Sequence, residues 1–117
     1  MPPTLADRLI HILEAISNIQ VLLAGKTREQ FAADMFLRLA TERSFEIISE
    51  ASRRIPEAAK LQENQINWRG MADLGNRLRH VYHRVDPSTL WEIAERDLPP
   101  LKAFAEKVIK AEDGSSN

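Results

Sequence analysis

Apolar residues recur along this chain at three- and four-residue steps, and no Asn-Gly hairpin signal breaks the pattern. The first such run is Leu5, Leu9, Ile12, Leu13, Ile16, Ile19 and Leu23. It predicts a helix opened by Thr4, with Asp7 as its capping-box acid, and closed by Gly25. Thr27 and Gln30 form a second capping box, which starts a short helix around Phe31. A long helix is predicted from about Met35 to Arg54, with Phe36, Leu39, Ala40, Ile47, Ile48 and Ala51 facing inward. Pro56 stops or restarts it, and the polar stretch Lys60 to Asn67 reads as a connector. A fourth helix is predicted from about Trp68 to Arg84. Asp86-Pro87 then opens another through Leu90, Trp91, Ile93 and Ala94. Pro99-Pro100 cannot sit in mid-helix, so Asp97 is expected to cap a new turn leading to Leu101, Phe104, Val108 and Ile109. The sum is an all-α protein, an antiparallel bundle of four to five helices. It forms one domain over residues 1–110, followed by a disordered tail over 111–117.

The fourth helix separates its chemistry sharply when its residues are set at about 100° steps. Trp68, Met71, Leu74, Leu78, Val81, Tyr82 and Val85 gather on one side, with Gly75 at its edge. Arg69, Asp73, Asn76, Arg77, His80 and Arg84 gather on the other. His80 lies near the middle of the polar side, within reach of Asn76, Arg77 and Arg84 as neighbours three and four positions away. Imidazole titrates near neutrality and can serve as a general acid or base. Guanidinium groups bind phosphate in bidentate fashion. One histidine beside arginines is therefore a minimal kit for cutting RNA: the histidine moves a proton and an arginine holds the phosphate. A solvated helix face has the same look, so pattern alone leaves both readings open. His11 lies among apolar residues and reads as a packed or edge histidine, and Trp68 and Trp91 as core anchors.

Composition narrows the classes further. Apolar residues make up 44% and charged residues 28%, the balance of a folded globular protein rather than a disordered one. With no cysteine there is neither a disulfide framework nor a thiolate metal site. The three histidines lack HExxH spacing and no GxxxxGK[ST] loop occurs, so neither a metal nor a cofactor is expected. The N-terminus lacks a signal peptide's pattern and no run is long and apolar enough to span a bilayer, so a soluble, cytoplasmic protein is expected. Net charge is only −1, yet Arg77, Arg79, His80, His83 and Arg84 cluster within eight positions. That suits a confined phosphate site better than a DNA-tracking surface.

The stretch Trp68-Arg69 … Asn76-Arg77-Leu78-Arg79-His80-Val81-Tyr82 … Val85-Asp86 … Leu90-Trp91-Glu92-Ile93 … Asp97-Leu98-Pro99-Pro100-Leu101 resembles the HepT-like branch of the HEPN superfamily. Phe45-Glu46-Ile47-Ile48-Ser49-Glu50-Ala51-Ser52-Arg53-Arg54-Ile55-Pro56 is similar to that family's second signature. The resemblance implies a homodimeric helical bundle in which the motif helices meet across a cleft. It implies a toxin of a toxin–antitoxin module, a metal-independent ribonuclease paired with a minimal nucleotidyltransferase antitoxin. The family motif is an arginine, four residues, a histidine, one residue and a tyrosine. His80 and Tyr82 match its last two landmarks, which makes Tyr82 the implied acceptor of AMP units that silence the nuclease. The arginine landmark falls on Gly75. Arg77 from the same chain, or Arg79 from a partner chain, then supplies the guanidinium; alternatively Arg77 and His83 form a shifted register. Asn76, His83 and Arg84 complete the candidate phosphate-binding set. The other reading is a catalytically weakened HEPN module that binds a nucleotide or a partner.

Overall fold

The computed structural model describes residues 3–80 and 85–115, with backbone alone from residue 113. The described residues form helices and contain no strand. Thr4 opens α1 (Leu5–Leu23) with both halves of the predicted capping box: its hydroxyl accepts from Asp7 N at 3.1 Å, and its own N–H donates to Asp7 Oδ2 at 2.9 Å. Leu9, Ile12, Ile16 and Ile19 are buried as the periodicity requires, while Leu5, Leu13 and Leu23 are half-buried around them. The chain turns at Gly25, whose φ of +72° is a conformation that a side chain resists. α2 (Arg28–Ala33) starts on the Thr27–Gln30 box. Its Phe31 is fully buried and tilts against Trp91 at 5.9 Å.

Asp34 caps α3 (Met35–Arg53), which packs on α1 and on α5 (Trp68–Arg79). The inward set of α3 differs from expectation. Ile48 and Ala51 are buried, and Ala40 and Ile47 are half-buried, but Phe36 is 78% and Leu39 55% exposed. Leu39 stands nine residues from Ile48, about half a turn around the helix. The inward positions are held instead by Thr41, Ser44, Phe45, Ser49 and Ser52. Angular position, rather than side-chain polarity, determines what this helix buries. Small hydroxyl residues at these places let the neighbouring helices come close.

Pro56 both stops and restarts the chain: α3 ends before it, and the short α4 (Glu57–Leu61) follows, its last two residues reaching into the stretch that polarity marks as connector. Asp86 caps α6 (Pro87–Arg96), with Pro87 in the first turn as predicted. Asp97 stands directly before the new helix, as expected, and also ends the one before it. It closes α6 through its N–H to Ile93 O at 2.8 Å, and its carboxylate is held by Arg96 at 3.0 Å. α7 (Leu98–Ser115) begins at once, with Pro99 and Pro100 in a first turn whose N–H groups would have no helical partner anyway. It runs on as helix past residue 110. α7 packs on α1 and α6, and α6 packs back on α2. Arg28 reaches Glu92 at 3.1 Å across the α2–α6 contact. No helix among the described residues is long and apolar enough to cross a membrane.

Candidate functional site

α5 carries the site, and its two faces are built by different forces. Asn67 caps it by accepting from Gly70 N at 3.0 Å. Met71, Leu74 and Gly75 are buried, Trp68 and Leu78 half-buried, and Arg69, Asp73, Asn76, Arg77, Arg79 and His80 exposed. The two-sided wheel read from the sequence therefore holds as far as Arg79. There the helix stops. His80 is its C-cap, with φ −104° and ψ 113°, and its N–H still donates to Arg77 O at 3.3 Å. The expected helix to Arg84 is therefore not continuous through His80, which leaves the helical conformation. Val81, Tyr82, His83 and Arg84 lie outside the described residues.

The candidates that are described spread across the exposed side of α5. Asn76 Oδ1 accepts from Arg79 Nη2 at 2.7 Å, which fixes the guanidinium beside the amide. Arg77 lies one turn before His80, on the far side of the polar face from Arg79. His80 is exposed at the end of that face.

α3 supplies a second bank that the sequence reading left without a role. Ser49 and Arg53 donate to Ala72 O, at 3.4 Å and 3.0 Å, so α3 and α5 run antiparallel with Ser49 beside Gly75. Glu50 accepts from Arg54 at 3.0 Å. That bond is the main reason its carboxyl sits below the usual carboxylate range; the slight burial opposes it, and the charges of Arg79 and Arg53 add to it. Arg79 therefore faces a bank of mixed charge. The adjacent Arg53 and Arg54, within the second signature stretch, were the visible hint of this bank.

Gly75 packs directly against Ser49 of α3. A Cβ at that position would lie 2.1 Å from Ser49 Oγ and 2.6 Å from Ser49 Cβ. Five helical steps place it about 140° around from His80, toward α3 rather than along the polar edge. The close approach that the glycine suggested is thus with Ser49. No arginine fits there while α3 stays in place.

The comparisons with known proteins agree with this architecture. Residues 12–108 match the family described as "Ribonuclease HepT-like". A "Probable ribonuclease HepT" of Thermococcus cleftensis is 38% identical over 104 residues, covering 89% of this chain and 94% of that protein. A "Putative RNase" of Methanocaldococcus jannaschii is 31% identical, covering 91% of this chain and 88% of that protein. A "Gamma-glutamylcyclotransferase and putative RNase" of the same organism is 34% identical over 93% of this chain, which spans 49% of that protein. No solved structure matches significantly. With the helical bundle and the motif helix in place, the chain belongs to the HepT-like ribonuclease family of the HEPN superfamily.

Proposed function

We propose that the protein is an endoribonuclease whose scissile phosphate lies at the C-terminal end of α5. The observation that carries this reading is the exposed His80 closing α5, with Arg77 one turn before it and Arg79 held by Asn76 at 2.7 Å. The chemistry is transphosphorylation. The ribose 2′-oxygen loses its proton, attacks the adjacent phosphorus and forms a 2′,3′-cyclic phosphate. The bond to the 5′-oxygen breaks and that oxygen is protonated. His80 performs one of the two proton transfers. Arg77 or Arg79 binds the phosphate and stabilises the charge that builds on it; in this reading Asn76, His83 and Arg84 complete the phosphate-binding set.

In this reading the protein is the toxin of a toxin–antitoxin pair and works as a cytoplasmic homodimer whose cleft is completed by the partner chain. Its antitoxin is a small nucleotidyltransferase. It moves AMP from a nucleoside triphosphate onto the Tyr82 hydroxyl, with pyrophosphate leaving, and so blocks the phosphate site. The test is RNA cleavage in EDTA by the parent and by His80→Ala, with the product ends analysed for cyclic phosphate. Equal cleavage by both proteins removes His80 from the mechanism. Co-expression with the neighbouring nucleotidyltransferase should add AMP mass to a peptide containing Tyr82.

One observation favours a second reading, a partner- or nucleotide-binding module with weakened catalysis. The landmark expected to be arginine is Gly75, and Ser49 leaves it no room for a longer side chain. That reading expects complex formation without RNA cleavage and without growth arrest.

A further inference from the structure

At the opposite end of α5 from His80, the chain between α4 and α5 folds into an open cleft of about 450 Å³. Lys60, Asn64, Asn67, Trp68 and Arg69 line it. Lys60 Nζ stands 5.7 Å from the centre of the Trp68 ring, whose edge is fixed against Phe104 at 5.5 Å. Of the two acids in the lining, Glu57 and Glu63, the second is taken by Lys107 Nζ at 2.7 Å. Asn67 uses its side-chain oxygen on the helix cap, which leaves its amide N–H₂ for a ligand. Two cations, two amides and an indole in one recess are groups that bind a phosphate and the edge of an unpaired base.

The position of the cleft identifies the ligand class. Arg69 and His80 are eleven residues apart, so they lie within about 20° of each other around α5 and about 16 Å apart along it. That distance corresponds to about five stacked nucleotides at roughly 3.4 Å each, and fewer in an unstacked strand. We propose that the cleft at Lys60, Trp68 and Arg69 is a subsite for single-stranded RNA, holding a nucleotide a few positions from the bond cut at His80. This deepens the ribonuclease reading and rests on it. Asn64 and Asn67 meet a base edge that only an unpaired strand exposes, while Lys60 and Arg69 meet its phosphate. Trp68 reports occupancy, because a phosphate drawing Lys60 away changes the charge over its ring.

Binding to a protein that cannot cut separates this proposal from the catalytic one. In a His80→Ala background, a labelled single strand of about ten nucleotides is titrated by fluorescence anisotropy. Lys60→Ala and Arg69→Ala should each weaken binding about tenfold. Each should also flatten the dependence of log K on log salt by about 0.7, the loss of one phosphate contact on a single strand. With Trp91→Phe added, the emission of Trp68 should shift as the strand saturates. Unchanged affinity and salt slope in both variants overturns the subsite, as does an equal loss for blunt duplex RNA. Failure of the His80→Ala protein to bind the strand also overturns it. Circular dichroism shows whether each variant is folded; if Lys60→Ala is not, Arg69→Ala carries the test. Absence of cleavage by the parent protein overturns the ribonuclease reading instead, and this binding experiment does not depend on that result.

Discussion

The two faces of α5 obey different rules. Toward α3, Met71, Leu74 and Gly75 are packed to contact, and at Gly75 the clearance is smaller than one carbon atom. Toward solvent, Arg69, Asp73, Asn76, Arg77 and His80 are exposed, and the Asn76 amide oxygen accepts from Arg79 at 2.7 Å. The first face determines whether the helix exists in its place. The second determines what it can bind. Because the rotation between Gly75 and His80 is about 140°, substitutions on one face should leave the other largely intact. A twelve-residue helix can therefore lose its chemistry without losing its fold.

The largest expected effect lies on the solvent face. His80→Ala should lower RNA cleavage by about 10² to 10⁴-fold, the range for removing a general acid or base, while thermal unfolding moves by about a degree or less. A parallel fall in melting temperature would show that His80 supports the fold rather than the reaction.

The next effect comes from the packed face. Gly75→Arg restores the family motif on paper, but it drives a long side chain through Ser49. It should cost about 3 kcal/mol, the upper range for overpacking, and lower the melting temperature by about 10 °C or more. Raised cleavage with unchanged stability would sink the account of Gly75 as a closed position.

Gly75→Ala is a finer probe. Helix propensity favours alanine by about 1 kcal/mol, yet Ser49 Cβ at 2.6 Å belongs to a stiff part of the side chain and cannot simply rotate away. Net destabilisation of about 1 kcal/mol is expected. Adding Ser49→Gly should recover most of it, giving a coupling of about 1 kcal/mol in a double-mutant cycle. Additive single effects would mean that the two residues do not meet.

The smallest effect lies away from α5. The hydrogen bond from Lys107, with a second from Gln65, holds the Glu63 carboxyl below its usual range, against the opposing effect of burial. A depressed folded-state value stabilises the fold above the ordinary glutamate range. That stability is lost as pH falls through the folded value. Lys107→Met should raise the Glu63 titration midpoint in an NMR titration and shrink the difference in melting temperature between neutral and acid pH. An unmoved midpoint would show that Lys107 is not what holds it.

How far the site could be read from sequence depended on how local its causes were. The polar edge of α5 was legible because residues three and four apart face the same way on any helix. The stop at Arg79 was not, since the periodic pattern of the sequence runs on past it. Nor was the role of Arg53 and Glu50 beside α5, because their neighbours are Ala72 and Arg79, about twenty to thirty residues away in the chain.

The chain by itself determined the helices and most of their beginnings. Thr4 with Asp7, Thr27 with Gln30, and Asp86 with Pro87 act within a single turn, so the structure reproduces them as written. The stripes of α1 and α5 follow for the same reason. Tertiary packing alone decided that Phe36 and Leu39 face outward, that Ser49 closes off position 75, and that Lys60, Trp68 and Arg69 share a recess. Each of these depends on which helix lies opposite and at what distance, and that is set by the sum of all the buried contacts rather than by any stretch of sequence.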